Sequence, residues 1–154
     1  MKNKLTLMIM ALALCLTTNA KSPFAKLAKI AGVECMQYSK MPKEGLKLEG
    51  VSLGNGNDYE KLKEYDFRDI VCAIADEEQA ATQLVNTANK LCKGYETVFS
   101  MNMGEGFLNI LAKFGKERSN LAIVMRDDEE AVVLSANVKA NKDTLLKLLG
   151  QLQE

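Results

Sequence analysis

The sequence contains no histidine among its 154 residues. Without a histidine base, serine and cysteine catalytic triads are excluded. Zinc and haem sites with histidine ligands are excluded for the same reason. No Ser-x-x-Lys sequence occurs either, which removes the commonest serine and lysine pairing. Among the familiar catalytic groups, only carboxylates remain.

Cysteine is scarce, and none of the four forms a CxxC pair. Cys35, Cys72 and Cys92 lie too far apart in sequence to predict a thiolate metal cluster or a thioredoxin-like redox pair. All three have apolar neighbours, which favours buried thiols that act as small apolar side chains. The alternative is a disulfide between Cys35 and Cys72 on adjacent strands, with the third thiol left over.

The chain also lacks a phosphate-binding glycine motif. Gly54 and Gly56 in GNGND suggest a phosphate-binding loop. However, the third glycine of a dinucleotide fingerprint and the GK[ST] ending of a P-loop are both absent. We therefore predict a plain turn at residues 54–58.

There is no excess of charge of either sign, since 20 basic residues balance 20 acidic ones. A chain this close to neutral lacks the basic footprint that binding to nucleic acid or to an anionic membrane requires. Between residues 40 and 66, lysines alternate with glutamates, which favours a solvated surface of mixed charge over an anion site. The lysines are Lys40, Lys43, Lys47, Lys61 and Lys63, and the glutamates are Glu44, Glu49, Glu60 and Glu64.

Residues 1–20 have the layout of a secretory signal peptide: Lys2 and Lys4, an apolar run from Leu5 to Leu16, and a small polar tail. We expect cleavage after Ala20 and a protein exported to the periplasm or cell envelope. The apolar run is too short for a membrane span, and the mature chain has no transmembrane segment. Acylation of Cys15, as in a lipoprotein, is disfavoured because Leu14 stands where that processing requires a small side chain.

Residues 21–154 suffice for one domain with one core. Ser22 and Pro23 begin a first helix that ends at Gly32, and residues 33–39 form a strand. Residues 69–75 (DIVCAIA) are continuously apolar after the initial Asp69, which predicts a central strand covered on both faces. Asp76, with Gln79 as its capping-box partner, begins a long amphipathic helix that ends at Gly94.

Residues 95–138 alternate apolar and polar side chains in four stretches, which predicts a β-meander. The second stretch, Phe107 to Gly115, fits a strand and a helix equally well by periodicity. The last two stretches form a hairpin around the acidic tip Asp127–Glu130. Asn141 then caps a final leucine-rich helix.

With these elements in order, the mature chain resembles the DUF4252 family of exported proteins typical of Bacteroidetes. The resemblance rests on four segments: FAKLAKIAGVECMQYSK, DIVCAIADEE, KGYETVFSMNMGEG and LAIVMRDDEEAVVLSANV. It implies that residues 107–115 form a strand, and it implies no catalytic residues. We therefore predict a single α+β domain at residues 21–154, with a mostly antiparallel sheet that includes a C-terminal four-strand meander. The helices pack on one face, and the element order is αββα followed by ββββα.

We expect no catalytic, cofactor or metal site. The carboxylates of Asp127, Asp128, Glu129 and Glu130 could in principle collect calcium, but adjacent side chains splay apart there, so a solvated turn is favoured. Met36, Met41, Met101, Met103 and Met125 lie in or beside strands, and core filling is the default interpretation; the alternative is an exposed patch of the kind that adaptable binding proteins use.

The preferred functional hypothesis is a non-enzymatic envelope protein that binds another macromolecule. Its binding surface would be the open face of the meander or residues 40–66. The first alternative is a small-molecule or lipid carrier with an apolar cavity between sheet and helices. The second is a carboxylate-based hydrolase, which needs two acids facing each other across a cleft.

Overall fold

The computed structural model describes residues 22–41, 46–48, 51–53 and 63–152. The proposed signal peptide and the predicted turn at residues 54–58 lie outside the described residues. The strands are β1 (Val33–Lys40), β2 (Leu46–Leu48), β3 (Val51–Leu53), β4 (Arg68–Ala75), β5 (Glu96–Met103), β6 (Gly106–Lys113), β7 (Ser119–Arg126) and β8 (Ala131–Val138). The α-helices are α1 (Glu78–Leu91) and α2 (Lys142–Leu152), and Pro23–Lys29 and Lys63–Tyr65 are 3₁₀ helices.

Six strands form one antiparallel sheet in the order β1-β4-β8-β7-β6-β5, while β2 and β3 pair with each other. Strands β5 to β8 are neighbours in sequence order, as a meander requires. Helix α1 carries the chain from β4, near one edge, to β5 at the other edge. The predicted α+β fold with a C-terminal four-strand meander is confirmed.

The ambiguous stretch is a strand, because β6 pairs with β5 on one side and β7 on the other. Its helix-like spacing has a simple origin. Phe107 and Leu111 pack toward α1, whereas Ile110 and Ala112 pack on the opposite face. A strand with apolar contacts on both faces loses clean alternation.

Strand β4 is covered on both faces, as the sequence predicts. Val71 and Ala73 are buried beneath α1, and Ile70 and Cys72 are buried on the other side. A strand between two neighbours and two apolar layers has no solvent-facing side, which explains its continuous run of apolar residues.

Capping predictions hold at two helices and fail at one. The hydroxyl of Ser22 accepts a hydrogen bond from the Phe24 amide at 3.2 Å, although the segment it caps is a 3₁₀ helix. Asn141 accepts one from the Thr144 amide at 3.0 Å. The predicted Asp76 cap of α1 is wrong: Glu77 is the N-cap residue and makes no capping bond with its side chain. The chain is still extended at Glu77 as it turns off β4, so the helix begins later.

The helices cover both faces of the sheet, so the prediction that they share one face is wrong. Helix α1 and the first 3₁₀ helix pack on what we call the α1 face, with buried residues such as Ala122 and Val133. Helix α2 packs on the reverse, the α2 face, against Leu121 and Ala136. Strand β8 carries apolar residues on both sides. Its sequence therefore does not predict on which face of the sheet α2 packs.

Candidate functional site

Helix α2 covers only one end of its face. Its buried leucines lie over the sheet residues Ile70, Ala112, Leu121, Ala136 and Val138, and these leucines are Leu145, Leu148 and Leu149. At 11 residues, α2 is only about 16 Å long. Six strands at a spacing of about 4.8 Å make a sheet roughly 24 Å wide. One short helix therefore leaves part of this face uncovered.

The uncovered end carries a cross-strand row of apolar residues. The strand register aligns Ile74, Val132, Met125, Leu108 and Met101 across β4, β8, β7, β6 and β5. Every member of this row is at least partly exposed. By contrast, the neighbouring residues Ala112, Leu121 and Ala136 in the row at the helix-covered end of the same face are buried.

Methionines flank this row at both edges of the sheet. Met36 on β1 is 39% exposed, and Met101 and Met103 on β5 are each 42% exposed. Tyr38 donates a hydrogen bond to Sδ of Met36 at 3.7 Å, which holds that side chain beside its own strand. We call the whole region the methionine surface; it comprises Met36, Ile74, Met101, Met103, Leu108, Met125 and Val132.

Core filling, the default interpretation of the methionines, is therefore wrong for Met36, Met101 and Met103. Met125 is half-buried within the methionine surface, and Met41 packs beside the α2 layer instead. Long, unbranched methionine side chains adapt to surfaces of varied shape. An apolar region that is contiguous and exposed marks an interaction site more often than isolated exposed residues do.

The sheet end that borders this surface is strongly acidic. Each connection that emerges there carries carboxylates, and so does the start of β1. These exposed residues, the acidic rim, are Glu34, Asp76, Glu77, Glu78, Glu105, Asp127, Asp128, Glu129 and Glu130.

Gly106 brings two of these acidic turns side by side. A Cβ atom at Gly106 would lie 2.1 Å from the main-chain oxygen of Arg126 and 3.1 Å from Cα of Asp127. Only glycine permits that approach. The turn with Glu105 therefore lies against the β7–β8 turn, and their carboxylates share one edge of the molecule.

The geometry of the β7–β8 tip is that of a tight turn. The Asp127 amide donates to the Glu130 carbonyl at 2.9 Å, and the Asp128 amide donates to the Asp127 carboxylate at 2.8 Å. In the part of the chain that the structure describes, no group of three or more histidine, cysteine, aspartate or glutamate side chains is placed to hold a metal ion. The four tip carboxylates, for which the sequence favoured a solvated turn over a calcium site, thus lie together in sequence on a tight turn.

A polar cluster that the sequence did not predict lies at the end of the sheet opposite the acidic rim. Arg118 donates to the Asp66 carboxylate at 3.2 Å and to the Asp66 carbonyl at 2.6 Å, and its Nε donates to Asn137. Arg68 lies 2.7 Å from the same carboxylate. Desolvation raises the pKa of Asp66, but hydrogen bonds and charge from the two arginines outweigh it and hold that pKa below 3.8. Separated by 52 residues, Asp66 and Arg118 offer no local signal.

The cysteines are placed for packing. Burial raises the pKa of Cys72 to about 12 and that of Cys92 to about 11, so both remain protonated thiols at neutral pH. Cys35 lies opposite Ala73 and packs on the α1 face, whereas Cys72 lies in the α2 layer. A Cys35–Cys72 disulfide does not fit side chains that point to opposite faces.

The lysine-rich stretch is described only in part: Lys40 and Lys63 are exposed, whereas Lys43 and Lys61 lie outside the described residues. Across residues 22–41, 46–48, 51–53 and 63–152, no helix combines the length and apolarity that a membrane span needs. Comparison of the chain with protein-family models, with curated proteins and with solved structures found no match. The resemblance to the DUF4252 family therefore stays a prediction.

Proposed function

We propose that this chain is a non-catalytic binding protein of the cell envelope that docks onto a protein partner through the methionine surface. One observation carries the proposal: an apolar row spans five strands at one end of the α2 face and is at least partly exposed, while the other end of that face is buried under α2. Export, which the proposal includes, rests on the layout of residues 1–20.

Covering exposed methionine and aliphatic side chains removes apolar area from water, which is the main favourable contribution to most protein association. A partner that covers the surface gains this contribution without rearranging the sheet, because the strands are already paired on both sides except at β1 and β5. The long, unbranched methionine side chains can adjust to the shape of the partner.

The packing elsewhere supports binding on the surface rather than inside. Small, fully buried residues line the contact between α1 and the sheet: Ala73, Ala81, Ala88 and Ala122. Small side chains let a helix approach a sheet closely, which favours a filled interior over a carrier's cavity. The acids of the rim lie at an exposed edge, most of them on connections between elements, and this arrangement does not favour the paired carboxylates of a hydrolase.

Site-specific photocrosslinking tests the proposal. Ser100 and Met101 are consecutive, exposed residues of β5, but only Met101 belongs to the methionine surface; Ser100 points to the α1 face and donates to Asn109 at 2.7 Å. A photoreactive residue is placed at position 101 in one variant and at position 100 in the matched control. Both are irradiated in envelope extracts and analysed by mass spectrometry.

We expect one dominant protein adduct from position 101 that is absent or much weaker from position 100. Introducing Met36→Ser at the far edge of the same surface should reduce the adduct while leaving the fold intact, as circular dichroism would show. Equal adduct patterns from positions 100 and 101 would mean that this surface has no dedicated partner, and the proposal would be wrong.

A further inference from the structure

Resting on the proposed function, we infer that the partner element seated on the methionine surface is a basic amphipathic helix of another protein. Its apolar stripe lies on the cross-strand row, and its lysines and arginines face the acidic rim. Two independent observations lead here: the charge along one side of the surface and the dimensions of the uncovered band.

The neutral net charge of the chain does not reveal that acidic and basic residues are unevenly distributed along the sheet. Nine acidic residues form the rim, and all of them are exposed. Among the described strands, the one that places a basic residue at this end is β7 with Arg126, which is directed toward α1: its guanidinium donates to Thr82 Oγ1 at 3.3 Å and to the Asp128 carbonyl at 3.5 Å. Basic residues of the described strands and connections that lie toward the other end include Lys40, Arg68, Lys113, Lys116, Arg118 and Lys139.

Carboxylates concentrated on one edge attract a cationic partner and repel an anionic one. The methionine surface ends where the acidic rim begins. A single element of the partner can therefore contact both only if its apolar and basic side chains lie next to each other. The same rim disfavours an anionic lipid surface as the occupant.

The shape of the band fits one helix. Across the five strands of the apolar row it is roughly 19 Å long, and it is about two to three residues deep, or roughly 7–10 Å. A helix of about 13 residues is roughly 19 Å long and about 10 Å in diameter. Helix α2 already occupies the other half of this face through leucines at i, i+3 and i+4, namely Leu145, Leu148 and Leu149. The added helix would lie beside it with the same kind of stripe.

Peptide titration tests the inference directly. The first probe is an 18-residue peptide with leucine at helical i, i+3, i+4 and i+7 positions and lysine on the remaining face. The second replaces every lysine with glutamate, and the third scrambles the lysine peptide so that composition and charge stay while the stripe is lost. Fluorescence anisotropy measures binding of each to the folded protein at low and at physiological salt.

We expect the lysine helix to bind at least about tenfold more tightly than either control, with affinity that falls as salt screens the rim. Two variants with the same change in charge separate local from global electrostatics. Glu129→Gln with Glu130→Gln removes two rim charges, whereas Glu64→Gln with Glu117→Gln removes two exposed charges at the other end. The rim pair should weaken binding about five- to twentyfold, and the matched pair less than about twofold.

Equal binding of the lysine and glutamate helices, or equal effects of the two double variants, would overturn the inference. The inference would also be overturned if sedimentation showed a dimer that the Met101→Ser substitution dissociates. The element on the methionine surface would then belong to a second copy of this chain. These results are distinct from failure of the proposed function: a position 101 adduct with no preference for the lysine helix leaves the docking surface standing and removes only the basic helix.

Discussion

Arg118 holds both the side chain and the main chain of Asp66, with one guanidinium nitrogen 3.2 Å from the carboxylate and another 2.6 Å from the carbonyl. The same guanidinium donates to Asn137, which in turn donates to Asn120 at 2.9 Å. These contacts tie the start of β4 to β7 and β8. They lie at the end of the sheet opposite the methionine surface, so their loss should affect stability rather than binding.

Replacing Arg118 with alanine should lower the free energy of unfolding by about 1–3 kcal/mol, because several charge-assisted hydrogen bonds are lost together. Urea denaturation followed by circular dichroism measures the change. Lys116→Ala, an exposed residue in the same loop, is the control and should change stability by less than about 0.5 kcal/mol. If both variants unfold alike, the Asp66 contacts contribute nothing measurable.

The same cluster predicts a pH dependence. In the folded state the pKa of Asp66 lies below 3.8, so its ionised form stabilises the fold at pH values above the unfolded pKa. This contribution is lost as the pH falls through the folded pKa. Asp66→Asn should therefore be less stable than the wild type at pH 6, and the difference should shrink as the pH falls from the unfolded pKa through the lower folded pKa. Asparagine tolerates the positive φ of 42° at this position, which isolates the effect of charge. A difference independent of pH would contradict this explanation.

Adjacent leucines of α2 should respond very differently to substitution. Leu145 is fully buried against the sheet, whereas Leu146 is 40% exposed. Leu145→Ala should cost about 2–5 kcal/mol, since it leaves a cavity in the α2 layer. Leu146→Ala should cost less than about 1 kcal/mol. Thermal unfolding of both proteins measures the contrast, and similar melting temperatures would show that α2 does not pack on this face.

Gly106→Ala should destabilise the protein by about 2 kcal/mol or more, because its Cβ would collide with the main-chain oxygen of Arg126, which cannot swing aside as a side chain can. It should also weaken binding of the lysine peptide, since the turn carrying Glu105 would separate from the β7–β8 turn. Gly150→Ala is the control. Among the described residues, no atom beyond its chain neighbours and the backbone of its own helix lies within 4 Å of its Cβ position in α2, so we expect stabilisation by about 0.5–1 kcal/mol. A Gly106→Ala protein with wild-type stability would refute the close approach.

Cysteine labelling should follow burial. At pH 8 the raised pKa values of Cys72 and Cys92 leave almost no thiolate, and both side chains are shielded from reagent. Iodoacetamide should therefore modify the partly exposed Cys35 first, and the other two only after unfolding. Mass spectrometry of timed samples gives the order. Modification of Cys72 as fast as Cys35 in the native protein would contradict its placement in the α2 layer.

Local sequence features predicted much of the secondary structure. Period-two alternation indicated β5, β7 and β8, and continuous apolarity indicated β4 as a strand covered on both faces. Ser22 and Asn141 were identified as caps because capping depends on residues only two or three positions apart. The α1 cap was misplaced by one residue, since the path of the chain off β4 decides where that helix begins.

What the sequence by itself determined is which residues alternate from one side of each strand to the other, where most helices begin, and that histidine chemistry is absent. Only the tertiary structure decided which face of the sheet each helix covers and how much of that face it covers. Alternation gives Leu121 and Met125 the same direction, yet Leu121 is buried near α2 and Met125 lies beyond its reach. The acidic rim likewise exists only because strand pairing brings distant turns to one edge. Coverage and proximity depend on the length and placement of elements far apart in sequence, which no local pattern encodes.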